Sequence, residues 1–429
     1  MVHLDHAIAC VRLAVIVLGL CLAGSDVFAQ AAQGTTPPPL SYEAAVQRAM
    51  TANPAIIAAR LRRSINIASR DVAAERLNPE FRVELERETP KEAYTLAVPW
   101  ETGGKRARRI AVSDAAILTG EAELNATIAQ VQADVRRAYF DRFIAESRQS
   151  LLADVQSLAR RARDAAQARF DTGDAPRLEV VQAELILADA ENQATAAAGL
   201  VVAARTTLNA LLGFPLDAPT TIDTTFDVAP ALSVDAALAR ARQANAELAV
   251  FDRRLEEQRA RVSLARAMRT PDVTTEGALT RRSEPEFDYG WRAVFAITLP
   301  LFTSHKAGVV VEETTLMQLT RERDATLARI SGEVSAAASI AAAQRQQYLR
   351  YRDQILPQTM EVERMAEDAY RVGQTNIAAY LQALQSTRDV RLRALQAAAD
   401  LQSALADLER AIGEPPPSPP DAAPGPTKP

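Results

Sequence analysis

The sequence predicts a mainly α-helical chain with a small β part, one structural unit written twice. Three observations predict it. The 429 residues are 48% hydrophobic but only 5% aromatic, and they are rich in Ala, Leu, Arg, Gln and Glu, strong helix formers that let helices approach closely. Apolar residues recur in steps of four and three over long stretches. The chain also repeats itself. Leu40-Ser-Tyr-Glu-Ala-Ala returns as Leu232-Ser-Val-Asp-Ala-Ala, at an offset of 192 that also aligns Arg48 with Arg240, Asn53 with Asn245 and Pro79 with Pro271. Phe170-Asp-Thr-Gly173 and Leu212-Gly213 return as Tyr370-Arg-Val-Gly373 and Ile412-Gly413, at an offset of 200.

Residues 1–29 read as a secretory signal: Arg12 precedes an apolar run of about ten residues, Leu13 to Leu22, and Val27-Phe28-Ala29 resembles a small-residue cleavage site. That run is too short to span a bilayer as a helix, and no later stretch reads as a membrane helix. Leu20 before Cys21 counts against a lipid anchor. Cleavage after Ala29 removes Cys10 and Cys21 with His3 and His6, leaving His305 alone and no thiol chemistry. The net charge of −5, with both signs interspersed, argues against a nucleic-acid binder.

The boundaries then follow. A linker covers 30–39, the first copy 40–213, a second linker 214–231, the second copy 232–413, and a Pro-rich tail expected to be disordered 414–429. Each copy opens on a helix capped by Ser41 or Ser233, running to about Leu77 or Met268 before Pro79 or Pro271 stops it. Alternating segments follow, at about 80–100 and 272–300. Phe81, Val83 and Leu85 share a face, as do Tyr94, Leu96, Val98 and Trp100, and in the second copy Trp291, Ala293, Phe295, Ile297 and Leu299. That period of two fits strands with one oily face, with Trp100, Trp291, Phe295 and Ile297 toward lipid. From about Lys105 to Phe170 the pattern predicts one continuous helix of roughly 100 Å at 1.5 Å per residue. Gly173 with Pro176, and Gly373, turn the chain back.

No catalytic constellation, phosphate loop or thiolate or imidazole metal site is present, so the chain reads as neither an enzyme nor a cofactor carrier. Gly103, Gly104 and Lys105, with Pro300 and Lys306 in the second copy, mark strand-to-helix junctions, where glycines permit a sharp change of direction. Four strands cannot close a barrel, and open sheet edges cannot sit in lipid. Three chains supply twelve strands, an even number within the range of outer-membrane barrels. The helices would continue the ring as a tube, an α-barrel.

From Leu40 to Gly413 the chain resembles the TolC-like outer-membrane efflux proteins. The opening cap motif carries the resemblance, with the junctions Val98-Pro-Trp-Glu-Thr-Gly-Gly-Lys105 and Leu299-Pro-Leu-Phe-Thr-Ser-His-Lys306, and the tips Ala168-Arg-Phe-Asp-Thr-Gly173 and Ala369-Tyr-Arg-Val-Gly373. The stretch Glu101 to Ile110 looks most like the cobalt–zinc–cadmium resistance branch. The resemblance implies a homotrimer in the outer membrane with most of its mass in the periplasm. It also implies passive export, possible heavy-metal cargo, a periplasmic adaptor (membrane fusion protein), and an inner-membrane pump of the resistance-nodulation-division type. It implies that Arg169 to Leu178 and Tyr370 to Leu381 form the entrance and adaptor contact, with Phe170 and Tyr370 packing the helical pairs. Where some relatives carry acidic residues after the second Gly, this chain has Ala379 and Gln382; Asp171, Asp174 and Glu179 are the acidic candidates for the constriction. The alternatives are a periplasmic coiled-coil scaffold or adaptor, or a duct for drugs or secreted protein.

Overall fold

The computed structural model describes residues 39–88, 90–223, 232–283, 287–299 and 301–413. The signal, part of both linkers, Pro300 and the tail lie outside them. Ser41 accepts from the Ala44 amide at 3.2 Å and opens α1 (Tyr42–Ala52). The expected single helix to Leu77 is instead broken at Asn53. The Asn53 amide ends α1 on the Ala49 carbonyl, and its side chain caps α2 (Pro54–Ala74), where Pro54 needs no donor partner. Asn245 does the same between α5 (Val234–Ala244) and α6 (Ala246–Ala267), accepting from the Leu248 amide at 3.0 Å.

The break serves closure of each copy on itself. Asn53 Nδ2 donates to Leu211 O at 2.9 Å, and Asn245 Nδ2 to Ala411 O at 2.8 Å. Gly213 and Gly413, both at positive φ, lie so close that an added Cβ would stand 2.7 and 2.4 Å from the carbonyl oxygens of Ala52 and Ala244. The end of each repeat is thereby packed onto its beginning.

Strands β1 (Glu80–Leu85), β2 (Glu92–Trp100), β3 (Val273–Ser283) and β4 (Phe287–Ile297) form one antiparallel sheet in chain order. The β2–β3 ladder, from Trp100 opposite Val273 to Glu92 opposite Arg281, welds the two copies together. Its twist-exposed face is apolar, with Phe81, Leu85, Leu96, Trp100, Leu279, Trp291, Phe295 and Ile297 all exposed. The opposite face alternates charged with small residues: Arg82, Thr95, Ala278 and Arg292 make one row across the sheet, and Glu80, Ala97 and Glu276 the next.

After the sheet, α3 (Lys105–Asp171) runs unbroken for 67 residues, about 100 Å at 1.5 Å per residue, and α4 (Arg177–Leu212) returns along it. The second copy differs. Between α7 (Lys306–Arg350) and α8 (Leu356–Arg371) lies a π-helical turn, Tyr351–Ile355, just ahead of Pro357, which has no N–H to give to the helical ladder. Finally α9 (Ile377–Ile412) returns. Near the sheet the helices lie in the order α2–α3–α6–α7; toward the tips the order is α4–α3–α9–α8. Two cores hold them, one under each copy: Ile56, Val135, Tyr139, Leu208 and Leu212 in the first, Leu248, Val334, Leu401, Leu405 and Ile412 in the second. Contrary to the sequence expectation, one helix, α4, is long and apolar enough to cross a membrane by length and composition; only 22% of its apolar window is buried.

Candidate functional site

The two hairpin tips have the same backbone. In the first, the Gly173 amide donates to Phe170 O at 3.0 Å and the Asp174 amide to Arg169 O at 2.8 Å; in the second, Gly373 and Gln374 donate to Tyr370 O and Ala369 O at 3.0 and 2.9 Å. Both glycines sit in the left-handed region with open space around them, so the turn needs glycine for its backbone and not for room. Pro176 precedes α4 without a side-chain cap, whereas Asn376 caps α9 through the Ala379 amide at 2.9 Å.

Arg169 joins the tips. Its guanidinium stands 5.7 Å over the Tyr370 ring, and its Nη1 lies 3.7 Å from Glu179 Oε2. Tyr370 in turn stacks on Tyr380, centroids 5.0 Å apart and planes 8° apart. Beneath them Ala162, Ile377, Tyr380 and Leu381 form a buried cluster across the two copies. Burial pushes the Tyr380 hydroxyl up to about 12, reinforced by Glu367 and opposed by Arg161. Phe170 is 40% exposed, and it is the neighbouring Arg169 guanidinium that lies over Tyr370. One expectation needs correction. Leu381 is 4% exposed and shapes the tip from inside, so it offers no surface to a partner in this conformation. Asp171, Asp174, Leu178 and Gln382 are exposed, while Glu179 is turned half inward by its ion pair.

The strand-to-helix junction of the first copy is a lock between copies. Gly103 and Gly104 have φ of +64° and +70°, and an added Cβ at Gly103 would lie 2.6 Å from Thr270 Oγ1. The turn drops Lys105 into a buried position, where Nζ meets Asp272 Oδ2 at 2.7 Å; Asp272 Oδ1 accepts from the Thr102 amide at 3.0 Å. Burial pushes the Asp272 carboxyl up, but Lys105 and the Thr102 amide together outweigh it and hold it below its ordinary value. Arg106 and Arg109 reach the last carbonyls of α2, Ala74 O at 2.7 Å and Ala73 O at 2.9 Å, which ends that helix short of Leu77. In the second copy His305, at φ +53°, opens α7 and Lys306 is exposed, so the lock is not duplicated; Pro300 lies outside the described residues. The sequence had marked Gly103 to Lys105 but not Thr270 or Asp272, which the repeat alignment places beside Pro271.

Trp100 and Trp291 are 53% and 81% exposed on the apolar sheet face, beside Phe295 and Ile297. Trp100 Nε1 donates to Thr275 Oγ1 at 2.9 Å, the polar handle such a ring needs next to lipid. Among the described residues no cluster of His, Cys, Asp and Glu is placed to hold a metal ion. What the arrangement offers is a sheet with two unlike faces, one junction lock between the copies, and a pair of tips joined through Arg169 and Tyr370.

Comparison with known proteins agrees. The family model described as outer membrane efflux protein matches twice, over residues 45–214 and 237–414. The cobalt-zinc-cadmium resistance protein CzcC of Cupriavidus metallidurans is 23% identical over 342 residues, covering 78% of this chain and 81% of its own length. The outer membrane channel CmeC of Campylobacter jejuni superposes with a TM-score of 0.74 at 16% identity, over 87% of this chain and 85% of that one. The open-state MtrE outer membrane channel of Neisseria gonorrhoeae gives 0.72 at 18% identity, over 87% and 89%. A sheet with one oily face, helices about 100 Å long beneath it and a family match spanning both copies place this chain in the outer membrane efflux protein family, as an outer-membrane channel with most of its mass in the periplasm.

Proposed function

We propose that three copies of this chain close into one duct that passively conducts cargo from a periplasmic adaptor and a resistance-nodulation-division pump to the exterior. The observation that carries this reading is a set of unsatisfied edges on opposite sides of the chain. At one side β1 offers an unpaired edge, with α2 exposing Ile57, Leu61, Ile65 and Val72 and α4 exposing Leu178, Val181 and Leu185. At the other side β4 offers the second edge, with α7 exposing Val310, Val311 and Met317 and α8 exposing Met360, Val362 and Met365. Two different, mutually apolar sides make a head-to-tail contact, and a rotation that closes gives a ring. A closed ring of strands is also the state that satisfies the β1 and β4 backbone in lipid. The apolar, little-buried α4 is accounted for as a subunit contact.

The exposed tip residues Phe170, Gly173, Pro176, Leu178 and Gly373, with the half-buried Arg169 and Tyr370 between them, are where an adaptor would dock. Asp171, Asp174 and Gln382 would line the entrance, and the Arg169–Tyr370 contact would hold it narrow. Similarity to CzcC supports heavy-metal cations as cargo. The mass of the detergent-extracted mature protein tests the duct: a trimer is expected, and a water-soluble monomer would overturn it. For the cargo, a deletion strain without redundant ducts is expected to lose tolerance to cobalt, zinc and cadmium before tolerance to dyes and detergents. Unchanged metal tolerance would overturn that part alone.

A further inference from the structure

The oily face of the sheet has a gap in it. Along the outward side of β3, from the hairpin turn toward the helices, stand Arg281, Leu279, Gly277 and Thr275. Gly277 lies opposite Leu96 on β2 and Ala293 on β4, while Leu279, one step nearer the turn, lies opposite Tyr94 and Trp291. A row holding Gly and Ala therefore follows a row of large side chains. A Cβ added to Gly277 would meet nothing within 4 Å. The hollow left there measures about 500 Å³, with Leu96, Val98, Leu279 and Trp291 around it. Neither the junction lock nor the tip latch uses it.

A cation stands on the same strand, on the turn side of the hollow. Arg281 follows Gly277 by four residues, so it faces the same side of the sheet, about 13 Å away at 3.3 Å per residue. It is exposed, and its guanidinium lies 5.8 Å over the Tyr289 ring. The carboxylate opposite it is already engaged: Glu92 pairs with Arg282 at 2.9 Å and accepts from the Tyr94 hydroxyl at 3.3 Å. Among the described residues no carboxylate forms an ion pair with Arg281. The other ends of the strands lead into the helices, so Arg281 marks the outer border of the oily face. Aromatic side chains such as Tyr289 and Trp291, 72% and 81% exposed, belong at the level of lipid headgroups.

We propose that Arg281 and the hollow at Gly277 form one binding site for an anionic phospholipid. The phosphate sits on the guanidinium beside Tyr289, and one acyl chain runs past Leu279 and Trp291 into the hollow. A planar guanidinium can give two parallel hydrogen bonds to phosphate oxygens, which fixes the headgroup. Hydrocarbon in the hollow covers apolar surface that the neighbouring side chains leave bare. A site with a charged end and an oily end about 13 Å apart along one strand matches a lipid and not a free anion. The inference rests on the reading that this face meets the bilayer, and it is independent of the cargo.

Native mass spectrometry of the detergent-extracted mature protein, with phosphatidylglycerol or phosphatidylcholine added, tests the site. Wild type is expected to retain phosphatidylglycerol in preference to phosphatidylcholine. Arg281→Gln should lower retention of phosphatidylglycerol about fivefold, the worth of one basic residue at an anionic headgroup, and leave phosphatidylcholine unchanged. Gly277→Leu fills the hollow and should weaken both lipids. Arg321→Gln, which removes an exposed charge from α7, should weaken neither. Inorganic phosphate should not displace the bound lipid. Equal retention of the two lipids by wild type, wild-type retention by Arg281→Gln, or displacement by inorganic phosphate would overturn the site. The same spectra distinguish this from failure of the duct. A wild-type protein without a trimer peak counts against the ring, whereas a trimer with no preference for phosphatidylglycerol counts against the lipid site alone.

Discussion

Arg136 of the first copy and Glu409 of the second meet in a nearly closed interior: Arg136 is 8% exposed and donates to the Glu409 carboxylate, while its Nε and Nη2 reach Gln402 Oε1 at 3.2 and 3.1 Å. The guanidinium also lies 5.4 Å from the Tyr42 ring centroid and 5.7 Å from that of Phe140. Beside it Arg137 pairs with Asp407. These contacts pin α3 to α9, the two helices that carry the paired tips.

Burial pushes the Glu409 carboxyl up to about 7 from 4.5, and Arg136 only partly opposes it. The folded chain therefore binds this proton more tightly than the unfolded chain does. The stabilisation is complete below pH 4.5 and is lost as pH rises through about 7. Thermal melts at pH 5 and pH 8 should show wild type losing more stability than Glu409→Gln, by at most about 3 kcal/mol. Arg136→Ala should cost more at pH 8, about 3–5 kcal/mol, because it leaves a buried carboxylate without its partner.

At the junction lock, the two halves of one ion pair are unequal. Lys105 is buried, while the Asp272 side chain is 42% exposed. Asp272→Asn strands a buried ammonium, whereas Lys105→Met leaves a carboxylate that water can reach. Asp272→Asn is expected to lower the melting temperature further, by the equivalent of about 1–2 kcal/mol.

Glycines at positive φ separate backbone strain from crowding. Gly373→Ala meets open space and should cost only the left-handed penalty, about 1 kcal/mol. Gly413→Ala adds a Cβ only 2.4 Å from Ala244 O and should cost several times more. Comparing the yield of assembled protein for the two variants checks this.

The tip latch makes a functional prediction. Arg169→Ala removes both the contact over Tyr370 and the pair with Glu179. The expected outcome is raised single-channel conductance in planar bilayers without loss of assembly. Unchanged conductance would mean that Arg169 does not hold the entrance.

Sheet sidedness can be tested by one substitution on each face. Ala293 shares the apolar face with Trp291 and Phe295, and Ala296 lies on the charged face. Ala293→Arg should impair membrane assembly by about 2–4 kcal/mol near the bilayer centre, and Ala296→Arg should be tolerated.

Much of this molecule is legible in the chain itself, because the signals are local. Ser41 and Ser233 cap helices through their own next turn, the glycines at 173 and 373 demand a left-handed backbone, and the alternation from Tyr94 to Trp100 sorts two faces without reference to anything distant. The duplicated order of these signals determined the two-copy plan. What the sequence read wrongly depended on partners far along the chain. Asn53 and Asn245 were visible as an aligned pair, but their breaking of a helix makes sense only once Leu211 and Ala411 arrive to accept their side chains. Arg169 was read only as part of the docking tip, because the approach of Tyr370 from the other copy is what places its guanidinium over a ring. Lys105, Asp272, Arg136 and Glu409 look like ordinary surface charges among many. Tertiary structure alone decided that Lys105 and Arg136 are buried and that Asp272 and Glu409 stand against them, since burial depends on which helices meet, and residues separated by 167 or 273 positions carry no mark of each other in sequence.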